Sequence, residues 1–268
     1  MTQMSDEKSN YKIEVRELKV SYNDSTTGQS FLALDDLSLD IKDGEFLVVV
    51  GPSGCGKSTL LSTIAGFVLP QSGALEINGE SITSPGRDRG VVFQDYALLP
   101  WKKVVDNVSL GLKFRGISKS ERTRIAKKYL QLAGLANAAD KFPHELSGGM
   151  RQRAAVARTL ANEPEVILMD EPFAAVDAQT RMILQEELVR IWDQAKSTVF
   201  FVTHSVEEAI FLADRVVVLQ DGPGPVKAEL TVDIDRSLRK WPDLNQNKEF
   251  QRLRDEITAL VRKDRDIH

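Results

Sequence analysis

Residues 13–20 alternate apolar and polar side chains, which predicts a strand buried on one face. Residues 37–41 repeat the alternation, and Asp43-Gly44 supplies a turn directly after them. Residues 46–50 form a continuous apolar run, the pattern of a strand covered on both faces. A helix is predicted over 57–67. From about 96 to 161 the strand-like runs become few and helical spacing dominates. Ser118-Lys119-Ser120-Glu121 fits a capping box that opens a helix running to about 133. Strands are predicted again at 90–93, 166–169, 198–202 and 216–219, the last three separated by helical segments at 179–195 and 206–213. The pattern is an α/β core interrupted by a helical lobe. Beyond about 230 the chain is charged. There, residues 246–262 place Phe250, Leu253, Ile257, Leu260 and Val261 on one face, and the helix is expected to pack back on the core.

Composition narrows the class. A chain of 268 residues can bury one substantial core with a smaller appended lobe. Its 42% hydrophobic and 28% charged residues are ordinary for a globular protein. A net charge of −4 provides no overall basic field, so a nucleic-acid partner is not expected. Cys55 is the only cysteine, which rules out an internal disulfide and points to a reducing compartment. No apolar run approaches the ~18–20 residues that cross a bilayer. Residues 1–10 are polar, with no apolar stretch behind a basic start, so no signal peptide is expected. Membrane work would fall to a partner chain.

Three segments carry candidate chemistry. Gly51-Pro52-Ser53-Gly54-Cys55-Gly56-Lys57-Ser58-Thr59 runs from a predicted strand into a predicted helix. Its glycines let successive N–H groups converge on a phosphate, and the helix start adds partial positive charge. Lys57 is then placed for the β/γ-phosphates and the Ser58 hydroxyl for Mg²⁺. Second, an apolar strand delivers Asp170 and Glu171 at its C-terminal end, where open α/β sheets bind ligands. Asp170 suits Mg²⁺ and Glu171 suits a general base, although the two acids alone would equally be a solvated strand end. Third, Leu146-Ser147-Gly148-Gly149-Met150-Arg151-Gln152-Arg153 opens a helix that can bind an anion at its start. Taken by itself, it is also an ordinary N-capped helix.

Together with Gln94, Asp177 and His204, these segments occur in the order and spacing of ABC ATPases, and the chain resembles that family over about residues 12–225. The resemblance implies a P-loop NTPase core of ABC ATPase type, with an antiparallel β subdomain and an inserted helical lobe. It places an ATPase unit at 12–245, the lobe at about 96–161 and a helical tail at 246–268. It implies ATP and Mg²⁺ as cofactors and a head-to-tail homodimer. In that dimer Ser147, Gly148 and Gly149 of one copy face the nucleotide on the other copy's phosphate loop. It also gives roles to single residues. Gln94 approaches Mg²⁺ and the attacking water, and His204 contacts the γ-phosphate. Asp177 crosses the dimer interface, and Tyr22 stacks on adenine. Read without the family, Gln94 is a polar strand terminus and His204 a local hydrogen-bonding residue. Asp177 is then a helix N-cap and Tyr22 a core or rim aromatic. Met150 stands where the family commonly has Gln, and Ala174-Ala175-Val176-Asp177 where it has Ser-Ala-Leu-Asp.

The sequence 84–94, Leu98-Leu99-Pro100-Trp101 and Asp221-Gly222-Pro223-Gly224 are similar to the nitrate/sulfonate/taurine importer group. That similarity implies transmembrane permease subunits, an indirect periplasmic substrate-binding protein and a place on the cytoplasmic face of the bacterial inner membrane. A small anion or organosulfonate, of taurine, alkanesulfonate or nitrate type, is the expected cargo, with an organosulfonate such as taurine favoured. Leu98, Leu99, Pro100 and Trp101 are expected either to line a permease-binding groove or to form the lobe's core. The alternative function is a soluble ABC ATPase of translation or DNA repair, but those usually carry two nucleotide domains or long coiled coils. A third is a nucleotide-binding regulator without turnover, which would be expected to lack Glu171 or His204.

Overall fold

The computed structural model describes residues 11–23, 28–174, 176–195, 197–241 and 243–262. In chain order the strands are β1 (Tyr11–Asn23), β2 (Ser30–Lys42), β3 (Phe46–Val50), β4 (Ser72–Ile77), β5 (Glu80–Ser81), β6 (Arg89–Val92), β7 (Val166–Asp170), β8 (Thr198–Val202), β9 (Arg215–Leu219) and β10 (Val226–Thr231). The helices are α1 (Lys57–Ile64), α2 (Val104–Val108), α3 (Leu110–Phe114), α4 (Lys119–Leu132), α5 (Gly148–Leu160), α6 (Ala178–Ala195), α7 (Val206–Leu212) and α8 (Lys248–Arg262).

A six-stranded sheet ordered β10-β9-β3-β8-β7-β6 forms the centre. Its strands pair in parallel from β9 to β6, and β10 adds an antiparallel edge. The apolar runs explain this arrangement. Phe46, Val48, Val199 and Phe201 face one core, with α5, α6, α7 and α8. Leu47, Val49, Phe200 and Val202 face the other, with α1 and the second sheet. That second sheet is antiparallel, four-stranded and ordered β2-β1-β4-β5. Residues 98–161 hold a third core, in which Val104, Val108, Leu130 and Ala154 are fully buried.

Several elements run differently from the sequence pattern. β1 and β2 extend well past the alternating residues, because their pairing continues from Tyr22 opposite Phe31 to Tyr11 opposite Lys42. α1 stops at Ile64 rather than 67: Gly66 turns with φ 79°, and the Phe67 and Val68 amides bond back to the Ser62 carbonyl. β6 ends at Val92, one residue short of Phe93. At Ser118 only half of the capping box forms. The Glu121 amide donates to Ser118 Oγ at 3.4 Å, while the Glu121 carboxylate pairs with Arg124. β4, β5 and β10 had no strand pattern, since few of their residues are buried.

α8 packs back on the central core through Phe250, Leu253 and Ile257, all fully buried. Trp241 stacks on Phe211 at 5.0 Å between ring centres and meets Phe250 edge-on at 6.1 Å. Residues 263–268 of the expected tail lie outside the described residues, as does Ala175. Phe250→Ala is expected to lower stability by about 3–5 kcal/mol through the cavity it leaves. Urea unfolding with an unchanged slope reads this directly, and a loss under about 1 kcal/mol would separate α8 from the core.

Candidate functional site

The turn from β3 to α1 needs its glycines for space as well as for conformation. Gly56 sits before α1 with φ 95°, and a Cβ there would lie 2.5 Å from Leu34 Cδ2 and 2.7 Å from the Ala33 carbonyl oxygen. The loop is thus pressed against β2, and only glycine fits. Lys57 lies back across it, nine-tenths buried. Its ammonium donates to the carbonyls of Gly51 at 2.9 Å and Pro52 at 2.7 Å. Cys55 is buried below, its Sγ 3.7 Å from Lys57 Nζ. Burial pushes the thiol pKa up, against the pull of Lys57.

β7 runs beside β8, and both end level with this loop. Asp170 accepts a hydrogen bond from Ser58 Oγ at 3.0 Å. Burial, and secondarily the neighbouring Glu171, raise the Asp170 pKa, while Ser58 and Lys57 pull it down. Glu171 takes φ 42°, a left-handed conformation that costs a non-glycine residue about 1–2 kcal/mol. The adjoining structure holds it there, because its amide donates to the Val202 carbonyl at 3.0 Å. His204 follows β8, and its Nδ1 lies 3.0 Å from Glu171 Oε2.

These groups border one open groove of about 410 Å³. Of the sequence candidates, Ser53, Gly54, Gly56, Lys57, Ser58, Thr59, Glu171 and His204 line it. Gly51, Pro52 and Cys55 lie beneath it as the loop's frame, and Asp170 joins through Ser58. Tyr22 reaches the rim, where its hydroxyl is 3.4 Å from Thr59 Oγ1. Two lining residues, Phe31 and Ala33, escaped the sequence reading. Phe31 sits opposite Tyr22 across β1 and β2, 63% exposed. An irregularity at Asp36, with φ 51°, breaks the alternation between residue 37 and Phe31, so the strand pattern does not point to it.

The remaining candidates lie elsewhere in this single chain. Gln94 follows β6 in an exposed loop and does not line the groove. Ser147 caps α5, accepting from the Met150 amide at 3.3 Å, and faces solvent. Gly149 is buried where α5 meets α6; a Cβ there would come within 2.9 Å of Thr180 Cγ2. Asp177 is exposed and caps α6, accepting from the Thr180 amide at 3.0 Å, and that hydrogen bond holds its pKa below the usual range. Met150 packs into the third core. Leu98 turns inward against the same core, whereas Trp101 is 71% exposed and stays outside it. A second depression, of about 440 Å³, is bordered by Lys12, Asp43, Tyr129 and Glu165. Its charges are already paired, with Lys12 at 3.0 Å from both Asp43 and Glu165.

Comparison with known proteins converges on one family. The model of the ABC transporter family matches residues 34–174. An uncharacterized ABC transporter ATP-binding protein of Methanocaldococcus jannaschii is 56% identical over 78% of this chain and 78% of its own. A taurine import ATP-binding protein of Rhizobium johnstonii is 49% identical over 90% and 93%. A nitrate import ATP-binding protein of Synechocystis is 46% identical over 87% and 89%. Among solved structures, the dimeric post-hydrolysis state of the ATP-binding cassette MJ0796, bound to ADP and phosphate, superposes with a TM-score of 0.73. It is 33% identical and covers 83% of this chain and 99% of that one. Motif order, sheet topology and the groove's lining agree with these matches: the chain belongs to the ABC transporter family, as one of its ATP-binding subunits.

Proposed function

We propose that two copies of this subunit hydrolyse Mg-ATP at shared sites and drive import of a small anion through separate membrane subunits. The Glu171–His204 contact, in the groove that Lys57 and Ser58 line, carries the catalytic part. Backbone N–H groups of 53–59 and Lys57 receive the phosphates. Ser58 and Asp170 already lie within hydrogen-bond distance, and both offer the oxygen donors Mg²⁺ requires, so they would hold it. When bound, Mg²⁺ neutralises phosphate charge. Glu171 then takes a proton from the attacking water, and His204 steadies its carboxylate beside the terminal phosphate. Tyr22 and Phe31 form an aromatic rim suited to the base.

The single chain presents only half of this site. Ser147, Gly148 and Gly149 start a helix whose first N–H groups are oriented for an anion, yet they are not in the groove. A partner copy placing that helix start over the nucleotide accounts for them, and the dimeric state of the MJ0796 cassette supports the arrangement. Asp177 at the start of α6 would meet the same partner. Gln94 enters this reading through closure of the lobe towards the groove. The expected division into a 12–245 unit, with its lobe at 96–161, and a 246–268 tail is retained as part of the proposal.

The permease would dock beside Gln94. Asn107 is fully buried and pins the adjoining loop, accepting from the Leu99 amide at 2.7 Å and donating to the carbonyls of Leu99, Lys102 and Lys103. Leu99, Pro100 and Trp101 are thereby held as a preformed apolar edge. Exposed Phe67 and Phe93 stack nearby at 6.0 Å. Among the described residues no helix is long and apolar enough to cross a membrane, consistent with a separate permease and a peripheral place at the cytoplasmic face of the inner membrane. The relatives named for taurine and nitrate import support a small anion as cargo, with an organosulfonate such as taurine as the finer reading. A periplasmic binding protein would select it.

Glu171→Gln is expected to abolish ATP turnover, retain ATP binding and accumulate a closed dimer by size exclusion; wild-type turnover would remove Glu171 as the base. Mixing Ser147→Arg with Lys57→Ala should yield dimers that keep one intact shared site and more turnover than either variant alone. A mixture as inactive as its components counts against the shared-site reading. Phe31→Ala should weaken ATP binding about tenfold, the usual effect of losing an aromatic stacked on a base, and an unchanged Kd by nucleotide titration would place the base elsewhere.

A further inference from the structure

Glu208 is a carboxylate buried directly behind the groove, and none of the roles above uses it. It sits in the first turn of α7, 5% exposed. Its Oε1 accepts from Gln185 Nε2 on α6 at 2.8 Å, and its Oε2 accepts from Thr203 Oγ1. Thr203 Oγ1 in turn accepts the Ser205 amide at 3.1 Å, while Ser205 Oγ accepts the Glu208 amide at 3.3 Å. His204 lies between the two pinned residues. On its other side, the Thr203 amide donates to the Val49 carbonyl of β3 at 3.2 Å.

The backbone on either side of His204 is therefore fixed by a closed ring of hydrogen bonds that passes through one carboxylate. Burying a carboxylate is unfavourable unless hydrogen bonds satisfy it, and here two side chains from different elements do so. Burial raises the Glu208 pKa in spite of both bonds and of Arg181 nearby. Glu208, Arg181, Glu171 and His204 border one small cavity, and the hydrogen bonds of the Glu208 carboxylate go to Gln185 and Thr203 rather than to the Glu171–His204 pair.

We propose that Glu208 is a positioning residue for ATP hydrolysis: through the Thr203 hydroxyl it sets the backbone that aims His204 at Glu171. Gln185 extends the same ring to α6, the helix that Asp177 caps, so the aim of His204 is tied to the segment proposed to meet the partner copy. This rests on the catalytic reading of the Glu171–His204 pair. Its function is geometric: a misplacement of about 1 Å at a catalytic group can reduce rate by a hundredfold.

The test is steady-state ATP turnover by the full-length chain carrying Glu208→Gln, Glu208→Ala, Thr203→Val or the double change Thr203→Val/Glu208→Ala. Glu208→Ala and Thr203→Val should each lower kcat tenfold or more, with KM for Mg-ATP within twofold. The double variant should be no slower than the slower single one, since both break the same path. Glu208→Gln should keep at least a third of kcat. The buried Gln185 Oε1 has no hydrogen-bond partner among the described residues, so turning that amide over lets it accept from the introduced one. Three results would overturn the proposal: native kcat in Glu208→Ala, a fall in ATP affinity that accounts for the whole loss, or Glu208→Gln as slow as Glu208→Ala. The catalytic reading itself fails separately, by turnover in Glu171→Gln.

Discussion

The parallel strands at the centre of this molecule are apolar on both faces, and that leaves polar side chains only one place to collect. Between Phe46 and Val50, and again between Thr198 and Val202, every residue is buried. A charged group within either run would have to lose its water without a partner. Chemistry is displaced to the strand ends, where the phosphate loop leaves β3, Asp170 and Glu171 leave β7, and His204 leaves β8. The sheet order places β8 between β3 and β7, so the histidine emerges between the loop and the two acids. The groove follows from the packing of the core.

A second constraint is the close approach of neighbouring backbones around that groove. Gly56 lets the loop lie against β2, and Gly149 lets the start of α5 lie against α6. The first contact shapes the nucleotide site. The second joins the solvent-facing Ser147 segment to the helix carrying Asp177, Arg181 and Gln185. Lobe and core thus meet directly where α5 lies on α6, and side-chain hydrogen bonds run from Gln185 on α6 towards the backbone beside His204.

Much of the architecture could be read from the chain because double-sided burial leaves uninterrupted apolar runs. β3 and β8 were found to the residue for that reason. β4, β5 and β10 were missed because they bury few residues; β4 pairs with the distant β1, while β5 and β10 are short partners of the strands directly before them. The phosphate loop was readable because its glycines encode a backbone path locally. Phe31 was not, since its place depends on which residue of β1 lies opposite. Glu208 repeats the Ser-x-x-Glu spacing seen at Ser118 and Glu121, yet burial turned its carboxylate away from the helix cap and into a tertiary ring. The signature segment needed the family pattern, because no local rule says what a second copy covers.

The docking of α8 also has a consequence for synthesis. Phe250, Leu253 and Ile257 belong to the same core as Phe46, so strands made early on the ribosome keep part of an apolar face open until α8 has emerged. The antiparallel sheet and phosphate loop can form while translation continues, but their supporting layer cannot close. During that interval the nascent chain presents an apolar surface of the kind chaperones bind, and a stall before α8 would release a polypeptide inclined to aggregate rather than a shortened ATPase.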